Sequence, residues 1–176
     1  PGTNVAVFNM MAYFIIEAGL TDQNFIDTRC ESWEDYKADI LQLDIAALAE
    51  VSGVEPELAK AAAIAYANAN KAMCFHGLGV TEHTQGSRAV MGIANLAMMT
   101  GHIGREGVGV NPLRGQNNVQ GAADMGCQPH QGAGYMPVND EQHHQYYQHK
   151  YGVPMPFAPG LKISQMFNAA LAGDLK

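Results

Sequence analysis

Apolar positions recur at helical spacing through the first 70 residues. Phe8, Met11, Phe14, Ile15 and Ala18 fall three or four apart, which places side chains on one face of a helix. Thr3 stands where a helix cap is wanted, and Gly19 where such a helix would stop. Thr21 reads as the cap of a short second helix holding Phe25 and Ile26. Ser32 reads as the cap of a third, with Trp33, Tyr36 and Ile40. Pro56 suits the first turn of a further helix whose apolar positions are Leu58, Ala62, Ala65 and Ala69. The pattern then changes. Residues 71–76 read as a short buried strand ending at Gly77, followed by a loop to Gly86 and a helix over 87–100 that stops at Gly101. Helix, strand, loop, helix is the grammar of an α/β domain with a parallel sheet. In such sheets ligands sit at the carboxyl ends of strands.

Residues 101–138 lose this regularity. Nine of the nineteen glycines fall there with no clear period. A loop this long inside a compact domain is usually functional or a misread element. After Pro137 the composition shifts again. Residues 140–151 read as a polar, aromatic-rich helix, Pro154, Pro156 and Pro159 as a stiff connector, and 161–175 as a last amphipathic helix. A soft domain boundary is expected near 115–120.

The chemistry concentrates in Gly109-Val110-Asn111-Pro112-Leu113-Arg114-Gly115-Gln116-Asn117-Asn118-Val119-Gln120-Gly121. This run has one permanent charge, Arg114, among five side-chain amides and three glycines. Glycines let a backbone approach a ligand closely. Amides donate and accept hydrogen bonds without adding charge. A guanidinium offers a planar fork that fits a carboxylate. The segment suits a large polar cofactor beside a small anion.

From Arg114 through Gly121, and on through Ala122-Ala123-Asp124-Met125-Gly126, the chain resembles formate dehydrogenase catalytic subunits. These are molybdopterin oxidoreductases related to dimethyl sulfoxide reductase. Pro1-Gly2-Thr3-Asn4, Gly77-Leu78-Gly79-Val80-Thr81, and Asn95-Leu96-Ala97 through Thr100-Gly101-His102-Ile103-Gly104 match further elements of that family in order. The resemblance implies an α/β fragment with a mainly parallel sheet flanked by helices, plus the start of a second α/β domain. Residues 1–116 would be part of a molybdopterin guanine dinucleotide-binding domain. Residues 117–176 would be a glycine-rich loop and the helical start of an adjoining domain.

The resemblance also implies roles. Arg114 would orient the formate carboxylate. Gln116 would contact the pterin, with Asn118 a further candidate, and Asn117 and Gln120 weaker ones. Gly77, Leu78 and Gly79 would line a pterin, with Glu82 near it. Gly2 and Asn4 lie at a helix start, where free N–H groups favour anions or polar rings; many relatives carry Asp where Asn4 stands. The cofactor would be a pair of molybdopterin guanine dinucleotides holding molybdenum or tungsten. The family's four-iron–four-sulfur cluster and metal-binding Cys or selenocysteine have no counterpart here, so the chain reads as an internal piece of a larger subunit, inactive alone. Expected partners are formate, the remainder of the subunit, and iron–sulfur or diaphorase electron-transfer subunits. The rivals are another bis-pterin oxidoreductase, such as a nitrate reductase, and a pterin-fold scaffold that has lost its metal.

Net charge is −7, against a nucleic-acid surface, which needs clustered Lys and Arg. The longest apolar stretch, residues 5–20, contains Asn9 and Glu17 and falls short of the ~20 apolar residues of a membrane span. Cys30, Cys74 and Cys127 are far apart with no Cys-x-x-Cys, which disfavours a disulfide scaffold or a self-contained metal site and suits a cytoplasmic setting. His143, His144 and His149 lack the i, i+4 spacing of zinc pairs and read as a solvated helix face. His83 and His102 are structural or close to a cofactor. Met73, Met91, Met98 and Met99 read as core fillers.

Overall fold

The computed structural model describes residues 1–175. They divide into two compact units, residues 1–113 and residues from 114 on.

In the first unit, α1 (Asn4–Glu17) is the central element, packing against α3 (Trp33–Leu41), α4 (Ile45–Ser52), α5 (Pro56–Asn68) and α7 (Gly86–Met99). Its Met10 and Ile15 are fully buried, and Phe14 joins Ile26 of α2 (Gln23–Arg29), Ile40, Ala59, Ala63, Leu96 and Met99 in one cluster. A helix apolar on several sides is a helix surrounded by others.

Capping explains where these helices begin. Asp22, not Thr21, caps α2: its carboxylate accepts from the Phe25 amide at 2.9 Å. Thr3 and Ser32 occupy cap positions but make no side-chain cap bond, and Ser32 adopts a left-handed φ of 56°. The sequence reading missed α4. Asp44 caps it through the Ala46 and Ala47 amides, and Gly53 closes it at φ 69°. On α5 the expected face is turned. Ala59 and Ala63 are buried, whereas Leu58, Ala62 and Ala65 are exposed. The small alanines let α5 lie close to α1, which a leucine at those positions would hold apart.

The sheet is parallel, as expected, and small. Strand β1 (Met73–His76) pairs with β2 (Gly109–Pro112), with Met73 opposite Gly109 and His76 opposite Pro112. β1 is not buried throughout: Met73 and Phe75 are exposed, and His76 is buried. Of the expected methionine fillers, Met91 is exposed as well. A four-residue helix, α6 (Leu78–Thr81), follows β1 and leads to α7.

The glycine-rich stretch contains more order than its composition predicts. Besides β2 it holds α8 (Val119–Asp124) and a 3-10 turn at Ala133–Tyr135. In the second unit, α9 (Glu141–Tyr151) is capped by Asp140, and α10 (Ile163–Ala172) ends at Gly173. Among the described residues no helix is long and apolar enough to cross a membrane.

Candidate functional site

The first unit presents the carboxyl end of β1. The parallel pairing with β2 extends one bond further, from the Leu113 amide to the His76 carbonyl at 2.7 Å. Gly77 then leaves the strand at φ −147° and ψ −149° and starts α6. The Val80 and Thr81 amides return to the Gly77 carbonyl, and that of Glu82 to the Leu78 carbonyl. The first amides of a helix have no carbonyl within the helix to reach, and here they belong to Leu78 and Gly79. Leu78, Gly79 and Glu82 are exposed, and nothing lies within 4 Å of where a side chain on Gly79 would begin. Glu82 is the one charge in this turn.

Gly2 and Asn4 are half-buried at the start of α1. Gly2 has φ +82°, and a Cβ there would stand 3.7 Å from His83 Nδ1. The fold thus brings His83 of the α6–α7 connection to the start of α1. His76, at the last position of β1, is buried, and its Nδ1 has no hydrogen-bond partner among the described residues.

His102 is structural. Fully buried, it places Nε2 2.9 Å from the Tyr66 carbonyl and Nδ1 3.3 Å from Arg105 Nη2. Arginine only donates, so Nδ1 accepts and Nε2–H donates to the carbonyl. The Tyr66 ring packs edge-on against this imidazole. Burial first, then the Cys74 thiol, pushes the Tyr66 phenol well up.

In the second unit Arg114, Gln116, Asn117 and Asn118 are all exposed. Arg114 makes no ion pair among the described residues, although the chain carries seven more negative than positive charges. Asn118 has a left-handed φ of 55° at the start of α8 and makes no capping bond. Its side chain lies over Gly121, where a Cβ would collide with it.

One grouping escaped the sequence reading, which took Gln120 only as a weaker pterin candidate and did not name Tyr135. Tyr135 donates from its hydroxyl to Asp124 Oδ1 at 2.5 Å. The Gln120 amide donates to that hydroxyl at 2.7 Å and to Asp124 Oδ1 at 3.0 Å. The Tyr135 hydrogen bond, then that of Gln120, holds the Asp124 carboxyl below the usual carboxylate range. Asp124 in turn raises the Tyr135 phenol, and the Gln120 hydrogen bond, then the charge of Arg114, pull it partly back. Gln120 and Asp124 are four apart on a helix, a spacing that pairs side chains and was there to be read. The long-range partner, Tyr135, was not.

The histidines of α9 do not converge. His144 Nε2 lies 2.7 Å from the Met155 carbonyl and its ring meets Phe157 edge-on, so this residue is packed rather than solvated. His143 Nδ1 lies 3.4 Å from Asp140 without a hydrogen bond. No cluster of three metal-ligating side chains occurs among the described residues.

The first unit thus presents a parallel strand ending in a glycine turn, and the second an exposed Arg114 with no ion pair among the described residues. The family model for molybdopterin oxidoreductases matches residues 1–176, and the chain belongs to that family. It is 48% identical over 140 residues to a formate dehydrogenase alpha subunit of Methanocaldococcus jannaschii, covering 80% of this chain and 21% of that protein. It is 37% identical over 176 residues to formate dehydrogenase H of Escherichia coli, covering 99% and 25%. It is also 30% identical over 178 residues to the assimilatory nitrate reductase catalytic subunit of Bacillus subtilis, covering 100% and 25%. The chain therefore spans between a fifth and a quarter of the length of these relatives.

Proposed function

We propose that this chain is part of a formate dehydrogenase catalytic subunit, and that Arg114 binds and orients the formate carboxylate. The observation that carries this reading is the exposed guanidinium of Arg114, without an ion pair among the described residues, in a segment whose other polar groups are neutral. Formate oxidation yields carbon dioxide, one proton and two electrons. A fixed positive fork holds the anion by its two oxygens and leaves its C–H bond free to react. It releases neutral carbon dioxide readily, because the charge that bound the substrate has no partner in the product.

The residues fit the cofactor that the family implies. The turn Gly77-Leu78-Gly79 offers backbone amides and open space above Gly79, which suit the edge of a flat, polar pterin. Gln116 and Asn118 add neutral donors and acceptors, and Glu82 an acceptor for ring N–H groups. Gly2 and Asn4 would meet the nucleotide end. When bound, a molybdenum or tungsten bis-pterin centre supplies the two-electron acceptor. Iron–sulfur or diaphorase subunits would carry the electrons on, in a cytoplasmic enzyme. The proposed division places residues 1–116 in the dinucleotide-binding domain and 117–176 in its neighbour, with the 176-residue piece inactive by itself.

Similarity to a nitrate reductase supports a second reading. Nitrate is also a small planar anion and would suit the same fork. The test is to purify the enzyme containing this chain with its metal loaded, then assay formate oxidation and nitrate reduction side by side with artificial electron carriers. Formate turnover with negligible nitrate reduction is expected. Nitrate reduction without formate turnover would overturn the proposal.

A further inference from the structure

We propose that Tyr135 is a positioning residue: its phenol, bonded to Gln120 and Asp124, holds α8 in place and with it the adjoining segment that carries Arg114 and Gln116. This inference rests on the reading of Arg114 as the anion-binding residue.

Helix α8 has little else to hold it. It is six residues long and buries none of them. Helices shorter than about 12 residues are marginal in water without outside contacts. It begins at a left-handed Asn118 that makes no capping bond. Yet the ligand-facing segment depends on it: the Val119 amide donates to the Gln116 carbonyl at 3.4 Å, and the Asn118 side chain lies over Gly121. Whatever fixes α8 fixes the end of that segment.

The Tyr135 phenol enters from a turn that is itself anchored. The Tyr135 amide donates to the Gly132 carbonyl at 3.1 Å, and Gln131 Nε2 donates to the Tyr135 carbonyl at 3.3 Å. The buried Tyr147 of α9 donates from its hydroxyl to the Ala133 carbonyl at 2.8 Å. Tyr135 adopts φ 62°, unfavourable for a residue with a Cβ, next to Gly134 at φ 72°. Such strain persists only where surrounding bonds over-determine it, and it clusters at functional positions. A continuous path therefore runs from α9 through the turn to the phenol, across to α8, and back to the Gln116 carbonyl. Arg114 lies close enough for its charge to act on the phenol. The clamp also occupies Asp124 Oδ1 with two donors, which leaves that oxygen a poor competitor for the guanidinium.

The test uses the metal-loaded enzyme that contains this chain, as Tyr135→Phe, Asp124→Leu and Asp124→Asn. Tyr135→Phe is expected to speed hydrogen exchange of the Ala122 and Met125 amides about tenfold. It should raise KM for formate about tenfold, with kcat and the bound metal and pterin within twofold of wild type. Asp124→Leu should do the same. Asp124→Asn, whose side-chain oxygen still accepts from the phenol, should restore most of the loss. Faster exchange with unchanged KM would overturn the proposal, as would unchanged exchange. A parallel fall in kcat and cofactor content would overturn it too, by showing a general structural role. If wild-type enzyme does not oxidise formate, the functional reading fails by itself, and KM for the anion that does turn over becomes the readout.

Discussion

Arg114 makes no ion pair among the described residues, so replacing it removes a charge without breaking a salt bridge. Arg114→Ala in the metal-loaded enzyme should leave the cofactor bound and cost on the order of 3 kcal/mol, roughly a hundredfold in kcat/KM for formate. Arg114→Lys should recover only part, since a point charge lacks the planar fork. Steady-state kinetics decide it, and near-normal turnover by the Ala variant would return Arg114 to the role of a surface cation. The Tyr135–Asp124 pair has its own signature. A depressed carboxylate adds stability above its unfolded pKa and loses it as pH falls through the folded value. A raised phenol adds stability below its unfolded value, about 10, and loses it as pH rises through the folded one. The clamp is thus intact at neutral pH and weakens at both extremes. Ultraviolet difference titration of wild type against Tyr135→Phe should place this phenol above the ordinary tyrosine range. Asp124→Asn should bring it back down; an unmoved titration would mean that the pair does not form.

At the scale of elements, caps decide more than apolar spacing does. Asp22 bonds the Phe25 amide, and its own amide donates to the Met99 carbonyl at 2.8 Å. It thereby joins the start of α2 to the end of α7. Gly101 crowds against it at φ +66°, and a Cβ there would meet the Asp22 carboxylate. Asp22→Ala should cost about 1 kcal/mol, and Gly101→Ala about 1–3 kcal/mol through backbone strain. Both are readable as lowered thermal midpoints, and equal midpoints for all three proteins would contradict this account. The same elements show what was legible. The long α1 and α7, the strand before Gly77, the helix over 140–151 and the family segments around Arg114 could be read because local sequence carries them. Helix α4 carried its own signals, Asp44 and Gly53, and was overlooked. Strand β2 could not be read locally: Gly109 and Pro112 are poor strand residues, and only pairing with β1 makes them one. The buried face of α5 depends on how closely α1 approaches, which no single window contains. Tyr135 reaches Asp124 across eleven positions, a link made by the fold.

For the whole molecule, burial is uneven. Among the described residues, every buried apolar side chain except Tyr147 belongs to the first unit. Burial of apolar area is the main favourable term in folding. Amides in α1 and α7 should therefore exchange slowest, and those in α8 and α10 should exchange orders of magnitude faster in the isolated chain. Uniform protection across both units would refute this. Affinity of the isolated chain for pterin dinucleotide should be weaker than micromolar, about −8 kcal/mol, as equilibrium dialysis would report.

Strand β1 has a practical consequence. Parallel sheets are normally covered on both faces, yet Met73 and Phe75 stand out from a sheet of only two strands among the described residues. An exposed apolar strand with a free edge is a template for further chains. Expressed by itself, the chain should precipitate as its concentration is raised. Phe75→Lys should keep more of it in the supernatant, so the residue that makes the chain hard to handle in a test tube identifies the face that a larger protein would have to shelter.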